Sequence, residues 1–140
     1  AGGYVLFSFW DLDGSSGTSM RSALGVSTTD IYTPQAMASS STGTLWTISD
    51  TLPASISGYS HNANDNGDIL TATSAGTSEV LAYYSGTTTN AAIVATNSGQ
   101  TIVNGFLSYD WQNTDDDGDG VKDMHELYSN EIIWITGCTP

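Results

Sequence analysis

Positive charge is almost absent from this sequence. Its 140 residues include two basic side chains, Arg21 and Lys122, against fifteen Asp and Glu, and the formal net charge is −13. Such a chain repels phosphate backbones and anionic membrane surfaces, so we expect cations as partners and no nucleic acid. No apolar run approaches the ~20 residues of a membrane helix, so we expect no membrane insertion.

Cysteine is nearly absent too, since Cys138 stands alone. A single thiol excludes a disulfide within these residues and a zinc site built on cysteines. Ser, Thr, Asn and Gly, rather than Lys and Glu, supply most polar positions, a bias typical of exported proteins. We therefore expect an extracellular location, secreted or at a bacterial cell surface. There, Cys138 could form a disulfide with a segment or partner outside this sequence.

The length bounds the domain count, because 140 residues are enough for one core and too few for two. Residues 1–140 are expected to form a single domain or the carboxyl part of one. Residues 4–10 are almost continuously apolar, which predicts a buried strand in the middle of a sheet. Ser and Thr caps followed by Met20, Leu24 and Gly25 predict a short helix that ends at the glycine.

The middle of the chain is expected to be rich in strands. Residues 27–60 carry many Ser, Thr and Pro and predict mostly loop, with one strand at 44–48. Later apolar segments bounded by Gly, Asn or Ser predict four more strands, at residues 69–73, 79–84, 91–95 and 101–107. "NSGQ" before the last of them predicts a hairpin turn. A final amphipathic helix is predicted from the spacing of Met124, Leu127, Tyr128, Ile132 and Ile135, and it ends at Gly137.

An acidic loop at residues 115–126, "DDDGDGVKDMHE", fits the D-x-D-x-D-G-x5-E arrangement of a calcium loop. Alternate side chains of such a loop point at one hard cation, the glycine at position six allows a sharp bend, and residue seven adds its carbonyl. Oxygen-only ligands favour Ca²⁺ over Zn²⁺ or Cu²⁺, which recruit imidazole or thiolate, and over Mg²⁺, which retains several waters. The predicted ligands are Asp115, Asp117, Asp119, Val121, Asp123 and Glu126.

Other acidic and amide residues near this pattern are assigned no ligand role. Asp116 has no inward position in the loop, and His125 is expected to face solvent. "DLDG" at residues 11–14 and "NANDNGD" at residues 62–68 repeat parts of the calcium pattern, but Asp-Gly and Asn-Gly are first of all turn formers.

The loop lacks a preceding helix, because "SYDWQN" follows a predicted strand directly, and Lys122 occupies position eight, where paired helix-loop-helix hands carry a branched apolar residue. In both respects it resembles the single aspartate-rich loops of thrombospondin type 3 repeats. That resemblance implies one structural calcium site that is filled at extracellular calcium levels, rather than a regulatory pair.

Four stretches, "AGGYVLFSF", "LGV", "AAIVATNSGQTIVNGFLSYDW" and "HELYSNEIIWITG", together resemble the carboxyl half of glutamine-amidotransferase-like (ThuA-like) domains of exported bacterial proteins. The final stretch carries an L-x-x-N-x-I-x-W pattern at Leu127, Asn130, Ile132 and Trp134. The resemblance implies an α/β flavodoxin-like sandwich, complete or partial, with a β-rich middle and a terminal helix after the calcium loop. The alternative is a mainly β sandwich.

The resemblance supplies no catalytic residue. Active amidotransferases rely on a cysteine at a strand-to-helix elbow with a His and an acid, whereas Cys138 follows the last predicted helix and His61 and His125 lie in no matching motif. The chain also lacks G-x-S-x-G, H-E-x-x-H and G-x-x-x-x-G-K sequences. We therefore expect a non-enzymatic, calcium-stabilised structural or interaction module that contacts further protein, either the rest of a parent chain or a neighbouring subunit.

Two alternatives stay open from the sequence. One is a carbohydrate-acting or hydrolase accessory domain whose active part lies outside this chain, with a glycan as ligand and Trp111 as the best exposed aromatic residue. The other is a subunit of an extracellular filament.

Overall fold

A computed structural model describes residues 2–9, 11–14, 17–30, 36–40, 43–57, 67–74, 76–107 and 114–138. The fold is mixed α/β, with a curled sheet and a carboxyl-terminal helix. Strands within the described residues are β1 Val5–Ser8, β2 Val26–Asp30, β3 Met37–Ser39, β4 Asp68–Ala72, β5 Glu79–Tyr84, β6 Ala91–Thr96 and β7 Thr101–Asn104. The helices there are α1 Thr18–Leu24 and α2 Asp123–Thr136, with short 3-10 segments at Thr44–Thr47 and Asn97–Gly99.

The sheet runs in the order β1-β7-β6-β4-β2, and β5 joins β6 to β3. β1 and β7 are parallel, whereas the other described pairs are antiparallel. The start of β4 passes very close to the end of β7, where the Asp68 N–H donates to the Gly105 carbonyl at 2.7 Å. A Cβ at residue 105 would stand 2.3 Å from the Asp68 carbonyl oxygen, so only glycine permits this approach.

The two faces of the sheet bury two separate apolar clusters. Ile93 and Ile102 face α2, whereas Val94 and Val103 face the opposite cluster, as the period of two along a strand requires. Every residue of β6 is buried, because this strand is covered on both faces. The α2 side also receives Leu127 and Ile135 from the helix itself.

Several predicted elements are confirmed. The strand at residues 79–84 matches β5, the strands at 69–73, 91–95 and 101–107 overlap β4, β6 and β7, and "NSGQ" forms the turn between the last two. α1 ends at Gly25 and α2 at Gly137, which have φ values of +72° and +67°. Both glycines therefore terminate their helices in the left-handed conformation that favours this residue.

The prediction for residues 4–10 was wrong in its placement. β1 pairs only with β7 among the described strands, so it lies at the sheet edge rather than in the middle. Val5 is 45% and Leu6 37% exposed. An apolar run indicates that both faces of a strand are suited to burial, but it does not indicate whether the strand has a neighbour on each side.

Thr44–Thr47 form a 3-10 helix, so the predicted strand at residues 44–48 was wrong. Leu45 and Trp46 are adjacent and both buried. A strand would send adjacent side chains to opposite faces, whereas this short helix packs both into the cluster beneath α2. The sequence also gave no sign of β2 and β3, which lie in the Ser- and Thr-rich part predicted as loop.

Candidate metal centre

The loop before α2 brings the predicted carboxylates together. Asp115, Asp117 and Asp119 each offer one carboxylate oxygen, and these atoms lie within 4.8 Å of one another. Asp117, Asp123 and Glu126 form a second group with the same spacing. Because Asp117 belongs to both groups, the five acids form one continuous cluster that could hold a metal ion.

Backbone geometry explains how a short loop gathers these side chains. Gly120, at position six, has a φ of +93°, which is the bend that the calcium pattern assigns to glycine. The Asp115 carboxylate accepts hydrogen bonds from the N–H groups of Gly118 at 2.9 Å and Gly120 at 3.2 Å. The Val121 N–H donates to Asp119 at 2.7 Å. These bonds fix the direction of two carboxylates without neutralising them.

The end of the loop is closed by α2. The Asp123 N–H donates to the Thr114 carbonyl at 3.1 Å, and the Asp123 carboxylate accepts from the Asp116 N–H at 3.2 Å. Asp123 is fully buried and Glu126 is 5% exposed. The first turn of α2 therefore places two buried acids, at positions nine and twelve of the pattern, in the cluster.

Electrostatics within the cluster are unfavourable in the absence of a cation. Burial, followed by the negative charges of Asp119 and Asp117, raises the pKa of Glu126 to about 7. Burial also raises the pKa of Asp123. Glu126 Oε2 is buried and has no hydrogen-bond partner among the described residues. A buried acceptor without a donor costs free energy, and either a bound cation or a proton on the carboxylate could offset that cost.

Asp116 has a structural partner that the sequence did not indicate. Its carboxylate accepts from the Ser57 N–H at 2.6 Å and from the Ser57 hydroxyl at 2.8 Å. The side chain thus points away from the cluster, in agreement with its lack of an inward position. It joins the loop to a segment 59 residues earlier in the chain.

Asn130 of α2 makes a second connection near the cluster. Its side-chain oxygen accepts from the Asp50 N–H at 3.0 Å, and its amide donates to the Asp50 carbonyl at 2.8 Å. Asp50 is close enough for its charge to raise the pKa of Glu126 further. Asp50 and Glu126 line an open groove of about 300 Å³ beside the exposed His125.

Sequence reasoning missed a third buried acid on α2, Glu131. This side chain is fully buried, and burial raises its pKa to about 8. Asn104 of β7 donates to its Oε2 at 3.3 Å, whereas Glu131 Oε1 and Asn104 Oδ1 have no partner among the described residues. A signal was present, because residue 131 is four after Leu127 and four before Ile135.

Ile132 was assigned to the buried stripe of α2, and this was wrong. It is 54% exposed, whereas Glu131 occupies the adjacent inward position. The helix therefore buries an acid and exposes an isoleucine, because the position of a residue on the helix, rather than its hydrophobicity, decides which side chain faces inward.

The remaining site predictions have mixed outcomes. Asp11 is exposed, and in the described part of the chain neither it nor Asp13 joins a group of potential metal ligands. His61, the three amides Asn62, Asn64 and Asn66, and Trp111 lie outside the described residues. Cys138 is exposed with a free thiol.

Comparison with known proteins gives no relative for this chain: no family model, no curated protein and no solved structure matches it. The resemblances to ThuA-like domains and to thrombospondin type 3 loops therefore stay predictions. Within the described residues, no helix is long and apolar enough to cross a membrane.

Proposed function

We propose that the chain is a calcium-stabilised extracellular domain that serves as a structural or interaction module of a bacterial secreted or surface protein. One Ca²⁺ binds Asp115, Asp117, Asp119, Asp123 and Glu126, with the Val121 carbonyl as a sixth ligand. The ion joins the loop to the first turn of α2 and so fixes the helix against the sheet.

The observation that carries the proposal is the buried Glu126 carboxylate. Its Oε2 has no donor among the described residues, and one oxygen of the same carboxylate lies within 4.8 Å of carboxylate oxygens of Asp117 and Asp123. A solvated acidic turn would leave such a group in water, where it needs no partner. Here the helix holds it at 5% exposure, so a cation is the simplest group that satisfies it.

The donor set supports calcium as the ion. All five side chains are carboxylates, and hard oxygen ligands in a flexible loop are typical of Ca²⁺, which takes about six to eight of them. Zn²⁺ and Cu²⁺ would favour imidazole or thiolate, but the adjacent His125 is exposed and belongs to neither acidic group.

The exposed edge of the sheet supports the interaction part of the proposal. Tyr4, Val5, Leu6 and Phe9 are each more than a third exposed, at 56%, 45%, 37% and 38%. An apolar edge strand of this kind is suited to cover by further protein, either the rest of a parent chain or a neighbouring subunit. One strand pair, β1 with β7, is parallel as in the flavodoxin-like arrangement that we propose, whereas the other described pairs are antiparallel.

Thermal unfolding with and without chelator tests the proposal. Because calcium binds only the folded form, it stabilises that form by about 3 to 4 kcal/mol at a hundred to a thousand times Kd. EGTA should therefore lower the Tm by many degrees, and added CaCl2 should restore it. MgCl2 at the same concentration serves as the control and should restore little.

The starting metal content decides how the result is interpreted. Elemental analysis of the purified protein should find about one calcium per chain, as a single loop of this kind predicts. A sample that starts with bound calcium and melts at the same temperature in EGTA would contradict the proposal.

A further inference from the structure

A groove at the opposite end of α2 is unrelated to the acidic cluster. It has a volume of about 270 Å³ and is formed by Trp134, the residues that begin β5, and the turn between β6 and β7. Trp134 is eight residues after Glu126, which places it about 12 Å further along the helix axis. The lining residues are Thr77, Ser78, Glu79, Ala95, Ser98, Gly99 and Trp134.

The groove exists because the residues around the indole are small. Gly99 lies beside the ring, and even a Cβ at that position would be 3.9 Å from Trp134 Cη2. Ala95 and Ser98 also line the groove without filling it. Trp134 therefore remains half-buried at one wall, with its other side on the apolar cluster beneath α2.

The turn that forms one wall is held in an uncommon conformation. Asn97 and Ser98 have φ values of +52° and +59°, which residues other than glycine rarely adopt. The Asn97 side chain donates to the Ala23 carbonyl and to the Thr101 hydroxyl, at 3.2 and 3.1 Å. These bonds hold the turn, and Ser98 lies at the groove with its hydroxyl unused by the described residues.

Polar groups in the groove differ in hydrogen bonding from the hydroxyl groups just outside it. The hydroxyls of Thr96 and Thr101 take part in hydrogen bonds within the protein. In contrast, the Thr77, Ser78 and Ser98 hydroxyls and the Glu79 carboxylate have no such partner in the described part of the chain. The Trp134 N–H also lacks an acceptor there, whereas the Trp46 N–H donates to the Pro53 carbonyl at 2.8 Å.

From this combination we infer that the groove is a binding subsite for an uncharged oligosaccharide, with one sugar ring against the Trp134 indole. A pyranose has an apolar face that packs on an aromatic ring, and its hydroxyls pair with hydroxyl and carboxylate groups at the edges. Glu79 accepts from sugar hydroxyls, while the serine and threonine hydroxyls both donate and accept.

Charge argues against anionic ligands, and the aromatic content of the groove argues against quaternary ammonium ions. No basic side chain lines the groove, and the net charge of −13 opposes any anion. A quaternary ammonium ion would be attracted by Glu79, but recognition of such ions generally uses a cage of several aromatic rings. Among the described residues, Trp134 is the single aromatic residue that lines this groove, which favours the sugar.

Calorimetric titration of the full chain in calcium-containing buffer tests the inference. The probes are cellohexaose, laminarihexaose, chitohexaose and xylohexaose, with tetramethylammonium as the cationic competitor. We expect at least one hexasaccharide to bind, and Trp134→Ala to raise its Kd by about tenfold or more through loss of the ring contact. Because the readout is sugar binding rather than thermal stability, failure here leaves the calcium proposal unaffected.

A second variant is needed because Trp134 also packs on the core. Ser78→Phe fills the groove from an exposed position and should abolish binding in a chain that melts like the wild type. Ile132→Ala, on the same helix but outside the groove, is the matched control and should bind normally. Full binding by Ser78→Phe, absence of binding by all four sugars, or binding of tetramethylammonium in their place would overturn the inference.

Discussion

Two glutamates on α2 are buried at positions five residues apart, and they differ in what surrounds them. Glu126 and Glu131 each have one carboxylate oxygen without a partner among the described residues, and burial raises the pKa of the first to about 7 and of the second to about 8. Glu126 lies among four other carboxylates. Glu131 lies beside a single amide, that of Asn104.

A buried glutamate carboxylate can be stabilised in two different ways, by a bound cation or by protonation. A proton on Glu126 would relieve one charge and leave the repulsion among its neighbours, whereas one divalent cation is attracted to all five acids. For Glu131 a proton is sufficient, because the neutral acid can donate to the unpartnered Asn104 oxygen after an amide flip or small rotation. We therefore expect a metal at the first site and a protonated acid at the second.

Glu126→Gln should produce the largest effect, and its sign should depend on calcium. The amide keeps the shape of the side chain but removes one charge and one strong ligand. With calcium present, the variant should lose most of the ~3 to 4 kcal/mol that saturating ion contributes. In EGTA, the variant should be more stable than the wild type, because the repulsion from Asp117 and Asp119 is reduced.

Denaturant unfolding in calcium and in EGTA measures both signs. Glu131→Gln is the matched control, since it makes the same chemical change on the same helix outside the acidic cluster. It should retain the full calcium response. If the two variants respond alike to calcium, the distinction between the two glutamates is wrong.

Glu131→Gln should itself stabilise the protein at neutral and alkaline pH. The folded-state pKa, at about 8, lies above the ordinary value of 4.5, so the folded chain keeps a proton that the unfolded chain releases. The contribution of Glu131 to wild-type stability therefore falls as pH rises from 4.5 to about 8 and is constant above that window. Glutamine does not ionise, so the variant should gain up to about 3 kcal/mol at pH 7.

The pH profile distinguishes an effect of Glu131 protonation from a change in side-chain packing caused by the substitution. The difference in unfolding free energy between variant and wild type should be near zero below pH 4.5 and should grow through the window. Because both proteins contain the same acidic loop, its own titration cancels in the difference. A gain or loss that is independent of pH would show that Glu131 is already charged in the folded protein.

Asn130 is another buried polar residue of α2, and the variant Asn130→Ala extends the comparison between Glu126 and Glu131 to a fully hydrogen-bonded side chain. Unlike Glu131, Asn130 has both its oxygen and its amide hydrogen-bonded, to the backbone of Asp50. Its removal leaves those backbone groups without partners and should cost about 2 kcal/mol, measured by denaturant unfolding. Ser129→Ala, at the half-buried neighbouring residue, is the control and should have little effect. Equal losses in both variants would contradict a specific role for the Asp50 contact.

The sequence anticipated those features that depend on local spacing. The acidic loop, the glycine at position six and the helix stops at Gly25 and Gly137 follow from backbone rules that act within a few residues. β5 was predicted with its observed bounds because Gly and Ser residues flank an apolar segment.

Features that depend on distant parts of the chain were not predictable in this way. β2 is rich in Ser and Thr, and it becomes a strand by antiparallel pairing with β4, whose residues lie 38 to 46 positions later in the chain. The edge position of β1 depends on which strands lie beside it. Glu131 is buried because Asn104, 27 residues earlier, accompanies it in the core. The hydrophobicity of a short segment does not indicate which distant residues will lie beside it.

Asp116→Ala should have the smallest effect and tests the boundary of the acidic cluster. Asp116 is surrounded by predicted ligands in sequence, yet its carboxylate binds Ser57 instead. Both residues are exposed, so the loss of these hydrogen bonds should cost less than about 1 kcal/mol in unfolding. Calorimetric titration with CaCl2 should give a Kd within about tenfold of the wild type, since no ligand is removed.

Asp119→Ala is the matched control, because it removes an acid that belongs to the cluster, and it should abolish most binding. Comparable losses in the two variants would mean that the ion attracts loop charge in general rather than the carboxylates that the spacing selects.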